Sequence, residues 1–187
     1  MKKFYSCLLV MLGLAATVGA AERVVIQASV LGGENASIAV ENKSANLSVG
    51  KATSSKRFAC KLPLILDLDD KGCGEVEFTL KVSGNGKFQL LATGQSELGA
   101  NKKRSLMWVD CIGLEVNGQK FIPAEKRKML VFRQRFLPAT IKLEGEQTVA
   151  VKASFVKTPE ARAAKLAEMA KKRAEKAKAK KAQSDQD

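Results

Sequence analysis

The chain has no histidine, and that absence narrows its chemistry before any other residue is weighed. Ser–His and Cys–His nucleophile pairs, a histidine general base and every histidine-dependent metal site are excluded. Carboxylates, lysines and thiols remain. Two carboxylates facing each other across a cleft suffice for glycoside hydrolysis. Asp110 is the acid that stands out, because Trp108, Val109, Cys111 and Ile112 around it would carry it into an apolar setting. No convincing second acid accompanies it. Asp110 therefore reads first as a structural carboxylate met by a backbone donor or an arginine, and second, with Trp108, as a candidate ligand contact. Asp67, Asp69 and Gly72 hold the first, third and sixth positions of a calcium loop. Lys71 occupies the fifth, where an oxygen ligand is required, and no glutamate stands at the twelfth. No metal and no cofactor is expected.

Charge carries more information than any catalytic spacing. The sequence has 32 Lys and Arg against 19 Asp and Glu, a formal net charge of +13. Between Arg162 and Lys181 nine basic residues face two acidic ones. The predicted anion-binding tail consists of Lys171, Lys172, Arg173, Lys176, Lys178, Lys180 and Lys181. Each phosphate or sulfate neutralised by such an arm releases a counterion, so binding would fall steeply with salt. Lys102-Lys103-Arg104 and Lys126-Arg127-Lys128 could extend the same field. No aromatic platform accompanies these runs, which argues against nucleic acid. Anionic glycans or an envelope surface are the expected partners. Leu166 and Met169 are the only large apolar residues of the tail, so contact with a membrane would be peripheral.

The N-terminus sets the compartment in which those groups would work. Lys2 and Lys3 precede an almost unbroken apolar run from Cys7 to Val18, and Val18-Gly19-Ala20 supplies small residues for cleavage. Residues 1–20 thus read as a secretory signal peptide, and the protein as periplasmic or extracellular. An uncleaved span is the competing reading, on a stretch only just long enough to cross a bilayer. Removing the leader takes away Lys2 and Lys3 and lowers the formal charge to about +11. Three cysteines then remain: Cys60, Cys73 and Cys111. In an oxidising compartment one bridge and one odd thiol are expected, with three pairings open. Cys60 with Cys73, the most local, is the predicted disulfide, and the odd thiol is expected to be buried.

Strands must position these residues. Val24, Ile26, Ala28 and Val30 alternate with more polar neighbours, as do Phe58, Cys60, Leu62, Leu64, Leu66 and Leu68. Pro63 on the opposite parity predicts an edge or a kink. Asp69-Asp70-Lys71-Gly72 predicts a turn, and Glu75 to Ser83 a strand with Val76, Phe78, Leu80 and Val82 inward. Gly84-Asn85-Gly86 is expected to close a hairpin into Lys87 to Thr93, and Asn117-Gly118 a second one. Leu106 to Val116 is apolar on both parities, which predicts a central strand covered on both sides or interrupted by a bulge. Met129 to Leu137, Thr140 to Glu144 and Thr148 to Lys157 complete nine or ten strands. The expected fold is all-β, a β-sandwich or jelly roll, over residues 21–157.

Residues 158–187 are different in kind. Thr158 is placed to cap a helix, with Pro159 at its first position and Glu160 at the positive end of its dipole. Alanine and lysine then fill a helix of roughly 24 residues. Ala163, Leu166, Ala170, Ala174 and Ala177 form only a thin apolar stripe, so the tail is expected to be dispensable for folding.

The segments GEVEFTLKVSGNGKFQLLATG, SLMWVDCIGLEVNGQKF and LPATIKLEGEQTVAVKASF resemble, in their order, the jelly-roll carbohydrate-binding modules of the galactose-binding-like superfamily. The resemblance spans Gly74 to Lys157 and implies a jelly roll that reads sugars with exposed aromatics and polar loops. Trp108 is the single tryptophan, and its apolar neighbours favour a core role for it. The leading expectation is a secreted or periplasmic, non-catalytic binding or scaffolding protein at the cell envelope. A carbohydrate-binding module is the alternative, and a carboxylate-dependent hydrolase the second.

Overall fold

Apolar residues recurring at every second position build the architecture. The computed structural model describes residues 22–32, 35–54, 60–98, 103–130 and 136–184; residues 1–20, expected to be a signal peptide, and Phe58 and Lys102 lie outside them. Among the described residues ten strands pair antiparallel: β1 (Glu22–Leu31), β2 (Ser37–Lys43), β3 (Leu47–Val49), β4 (Cys60–Asp67), β5 (Cys73–Leu98), β6 (Lys103–Met107), β7 (Val109–Val116), β8 (Gln119–Ile122), β9 (Lys128–Leu130) and β10 (Phe136–Lys157). One helix, α1 (Glu160–Ser184), follows. The main path through the sheet is β3-β4-β1-β5-β10-β7-β8, with β2 and β6 on β5 and β9 on β7.

Two long strands form the spine. β5 and β10 pair from Val156↔Cys73 to Phe136↔Leu91, and both bend where Gly84 and Gly86 face Gly145 and Leu143. Gly84, Gly86 and Gly145 all have positive φ (140°, 154° and 81°), a region closed to most residues. A Cβ at Gly86 would also run into the carbonyl oxygen of Leu31. This corrects the expected hairpin at Gly84-Asn85-Gly86. The glycines bend β5 without reversing it, because β10 accompanies it through the corner. The separate strands expected at Thr140 to Glu144 and Thr148 to Lys157 are likewise one continuous β10.

Parity is kept through the bend. Val76, Phe78, Leu80 and Val82 before it and Phe88, Leu90 and Ala92 after it are all buried. Leu143 and then Val149, Val151, Ala153 and Phe155 do the same on β10. Each strand therefore turns one face inward twice, and the folded-over sheet becomes two leaves around a shared core. β2, β7, β8 and β9 flank the first leaf; β1, β4 and β3 extend the second. Val24, Ile26, Leu64 and Leu66 fill the second leaf's inner face.

Local signals resolve as their chemistry demands. Asn117 (φ 50°) and Gly118 (φ 78°) make the tight turn between β7 and β8. Asp69 Oδ1 accepts the N–H groups of Lys71 and Cys73 at 2.9 and 2.8 Å, closing the turn before β5. Pro63 pairs with Gln27 of β1, and its carbonyl accepts the Gly50 N–H at 2.8 Å on the other side, just past the end of β3. Its missing N–H thus faces the short edge strand and leaves the β1 ladder intact.

The predicted Cys60–Cys73 disulfide is not formed; Cys60, Cys73 and Cys111 are all free thiols. Cys60 opens β4, paired with Val30, whereas Cys73 follows the turn beyond the far end of that strand. The eight residues of β4 hold them roughly 25 Å apart, against a limit of about 7 Å for a bridge. Adjacency along the sequence is undone by the strand between them. Cys73 and Cys111 lie on opposite sides of β10, roughly 10 Å apart by strand spacing, again beyond bridging distance. Cys111 is buried, its thiol donating to the Gly113 carbonyl at 3.3 Å, and burial pushes its pKa up to about 12. It is a packed, unreactive thiol.

Candidate functional site: a cationic helix on a buried carboxylate

The helix meets the sandwich at a β-bulge. Along the β7–β10 ladder Ser154 pairs with Gly113 but Phe155 pairs with Cys111, so Ile112 is the extra residue. Inward positions therefore switch from Val109 and Cys111 to Leu114 and Val116, all four buried. The two-parity apolar run is thereby explained. The same alternation sends Asp110 to the outer face. It is nevertheless completely buried, because the start of α1 sits over it.

Asp110 is fully paired. Its Oδ1 accepts the Thr158 hydroxyl at 3.1 Å, and its Oδ2 accepts Arg162 Nη1 at 2.9 Å. Arg127 Nη1 stands 3.8 Å from the same Oδ2. Thr158 is itself buried, and its N–H donates to the Trp108 carbonyl at 2.9 Å. The cap is therefore built differently from expectation. Thr158 spends its hydroxyl on Asp110, and the Pro159 carbonyl accepts the first helical N–H groups, from Arg162 and Ala163. A carboxylate removed from water needs such partners, since a buried unpaired charge is strongly unfavourable. Residues 158–162 thus belong to the sandwich as much as to the helix, which revises the expectation that the whole tail is dispensable for folding.

Beyond the first turns α1 leaves the domain. Ala163 and Leu166 are half-buried, while Lys165 and Ala167 to Arg173 are exposed. Lys171, Lys172, Arg173 and Lys176 all present their charges to solvent. Lys178, Lys180 and Lys181 continue the same helix, their side chains lying outside the described residues. Lys172 pairs with Glu168 one turn back at 2.7 Å, an exposed i,i+4 contact of small energy. At about 1.5 Å per residue the 25 residues of α1 extend roughly 37 Å. No described helix is long and apolar enough to cross a membrane.

Trp108 marks the corner between β6 and β7, which the sequence presented as one strand. It is half-buried and borders an open cleft of about 190 Å³ with Leu106, Met107, Glu160, Ala163 and the ion-paired Glu22 and Lys157. Asp110 is fully buried and does not line this cleft, although its partner Thr158 does, so the two candidate ligand contacts do not share an open surface. Of the other basic runs, Lys126, Arg127 and Lys128 are exposed beside α1, and Arg104 is exposed on β6. Asp67 and Asp69 stay at their turn; among the described residues no three His, Cys, Asp or Glu side chains gather as a metal-ligand set. Sequence reasoning missed Thr158, Arg162 and Arg127 as the partners of Asp110. A buried acid signals that it needs a cation but not which one, and Arg162 is 52 positions away.

Fold and site together define an antiparallel β-sandwich that carries an exposed cationic helix on a buried ionic latch. No family model, curated protein or solved structure matches the chain.

Proposed function

We propose that the protein is an exported, non-catalytic binding or scaffolding module of the cell envelope, with α1 as the arm that engages anionic surfaces. The observation that carries this reading is the exposure of Lys171, Lys172, Arg173 and Lys176 on a helix that leaves the sandwich. A helix meant to complete the core would turn an apolar stripe to it, and here that contact ends near Leu166. A dense, solvated, positive rod instead suits long-range attraction to a polyanion and multivalent contact once there. Export rests on the apolar leader, and the jelly-roll resemblance remains part of the proposal for the sandwich itself.

Sedimentation with anionic and with neutral envelope polymers tests it. The full protein should pellet with the anionic polymer only, and a chain ending at Ala170 should lose most of that binding. Equal pelleting of the two chains would reject the arm.

A carbohydrate-binding reading draws on one specific feature, the half-buried Trp108 at an open cleft. A neutral-glycan array signal abolished by Trp108→Ala would favour it over the electrostatic arm.

A further inference from the structure

Two guanidinium groups converge on a single carboxylate oxygen at the root of the arm. Arg162 and Arg127 both address Asp110 Oδ2, at 2.9 and 3.8 Å, and their side chains remain 41% and 51% exposed. Asp110 neutralises one charge of the two. Arg127, beyond hydrogen-bond distance, keeps its donors, and Arg162 uses one nitrogen of its fork. The buried carboxylate therefore orients two arginines while leaving an uncompensated positive charge at the surface. Lys126 and Lys128 flank Arg127 and are exposed; Glu125 and Glu160 are the acids next to the cluster in sequence, and Glu168 pairs with Lys172 farther along α1.

From Arg162 the charge continues along one face. Lys165, Lys172 and Lys176 follow at i+3, i+10 and i+14, with Arg173 beside them, and all are exposed. These spacings return to the same side of a helix every three to four residues, over roughly 21 Å from Arg162 to Lys176. The thin stripe of Ala163, Leu166 and Ala170 lies roughly a third of a turn away. The basic turn of the sandwich and the basic face of the arm thus form one strip, not two separate patches.

We propose that this strip seats a linear, phosphate-bearing polymer, with one phosphate held in the Arg127–Arg162 fork and its neighbours laid along α1. Planar guanidinium pairs match the oxygens of a tetrahedral phosphate better than a diffuse lysine field does, and a strip one helix wide suits a chain. The inference rests on the arm proposed above and goes further by assigning a seat on the sandwich.

The experiment uses Arg127→Gln, because Asp110 keeps Thr158 and Arg162 in that variant and folding should be unaffected, as thermal unfolding can verify. Binding of soluble polyphosphate is followed by fluorescence anisotropy across a range of salt. Arg127→Gln should weaken it about three- to tenfold and make the slope of log affinity against log salt shallower by about one. Arg127→Lys, which keeps the charge without the fork, should fall between the two. Polyglutamate, and vesicles of phosphatidylglycerol, should lose far less on Arg127→Gln. Unchanged polyphosphate binding by Arg127→Gln would overturn the seat, and if the chain ending at Ala170 still binds weakly, the arm itself stands. An equal loss for polyglutamate would overturn the preference for phosphate, and a larger loss for the vesicles would overturn the linear polymer in favour of a lipid surface.

Discussion

The two ends of α1 have similar compositions and opposite relations to the rest of the molecule. Near the start, Arg162 reaches a carboxylate with no exposure and Thr158 is buried beside it. One turn past Leu166, the basic side chains are exposed, and Lys172 pairs with Glu168 of the same helix. The difference is not a matter of helix propensity, since alanine and lysine favour helix throughout. It arises because the bulge at Ile112 leaves an acid on the outer face just where the chain leaves β10. One buried charge is enough to give a solvated helix a fixed root.

That contrast can be broken most severely by removing the root. A chain ending at Lys157 leaves Asp110 with only the distant Arg127, and its unfolding free energy should drop by about 2–4 kcal/mol. A chain ending at Ala170 keeps the latch, and its stability should stay within about 0.5 kcal/mol of the full protein. Denaturant unfolding of both chains measures the difference. Equal stabilities would mean that root and arm are equally idle.

A smaller effect is expected from the single side chain. Arg162→Ala should cost about 1–3 kcal/mol, because a buried acceptor loses its best donor while Thr158 and Arg127 remain. The double variant Asp110→Asn with Arg162→Ala should recover part of that loss, since no buried charge is then left to satisfy. Additive losses would argue that the two residues act independently.

Cys111 sharpens the comparison from the core side. Its thiol is raised to about 12 by burial, so the folded protein holds the proton where an unfolded chain releases it, near pH 8.5. This contribution is complete below that pH and is lost progressively as pH rises toward 12. Alkylation at pH 9 should therefore modify Cys73, which is partly exposed, well before Cys111. Equal rates would contradict the packing around Cys111. The least effect belongs to the arm's own ion pair: Glu168→Ala should change stability by less than about 0.5 kcal/mol.

Much of the fold was legible because period-two burial is written directly in the residues. The inward sets of β1, β4, β5 and β10 follow from parity alone. The corner at Gly84 to Gly86 was misread as a reversal because glycine pairs serve both bends and hairpins, and only the partner strand distinguishes them. Cys60 and Cys73 misled for a related reason, since sequence proximity says nothing about the strand that separates them. The site was half legible. The exposed basic run could be seen from composition, but its attachment depends on Asp110, Thr158, Arg127 and Arg162 meeting through tertiary structure.

The central claim is that the arm beyond Ala170 supplies most of the anion binding, while the latch below it fixes the arm to the sandwich. It is tested most directly by measuring polyanion affinity against salt for the full protein and for the chain ending at Ala170. The account predicts weaker binding by the shorter chain, a shallower salt dependence because fewer counterions are released, and unchanged unfolding. Equal affinities with equal slopes would contradict it.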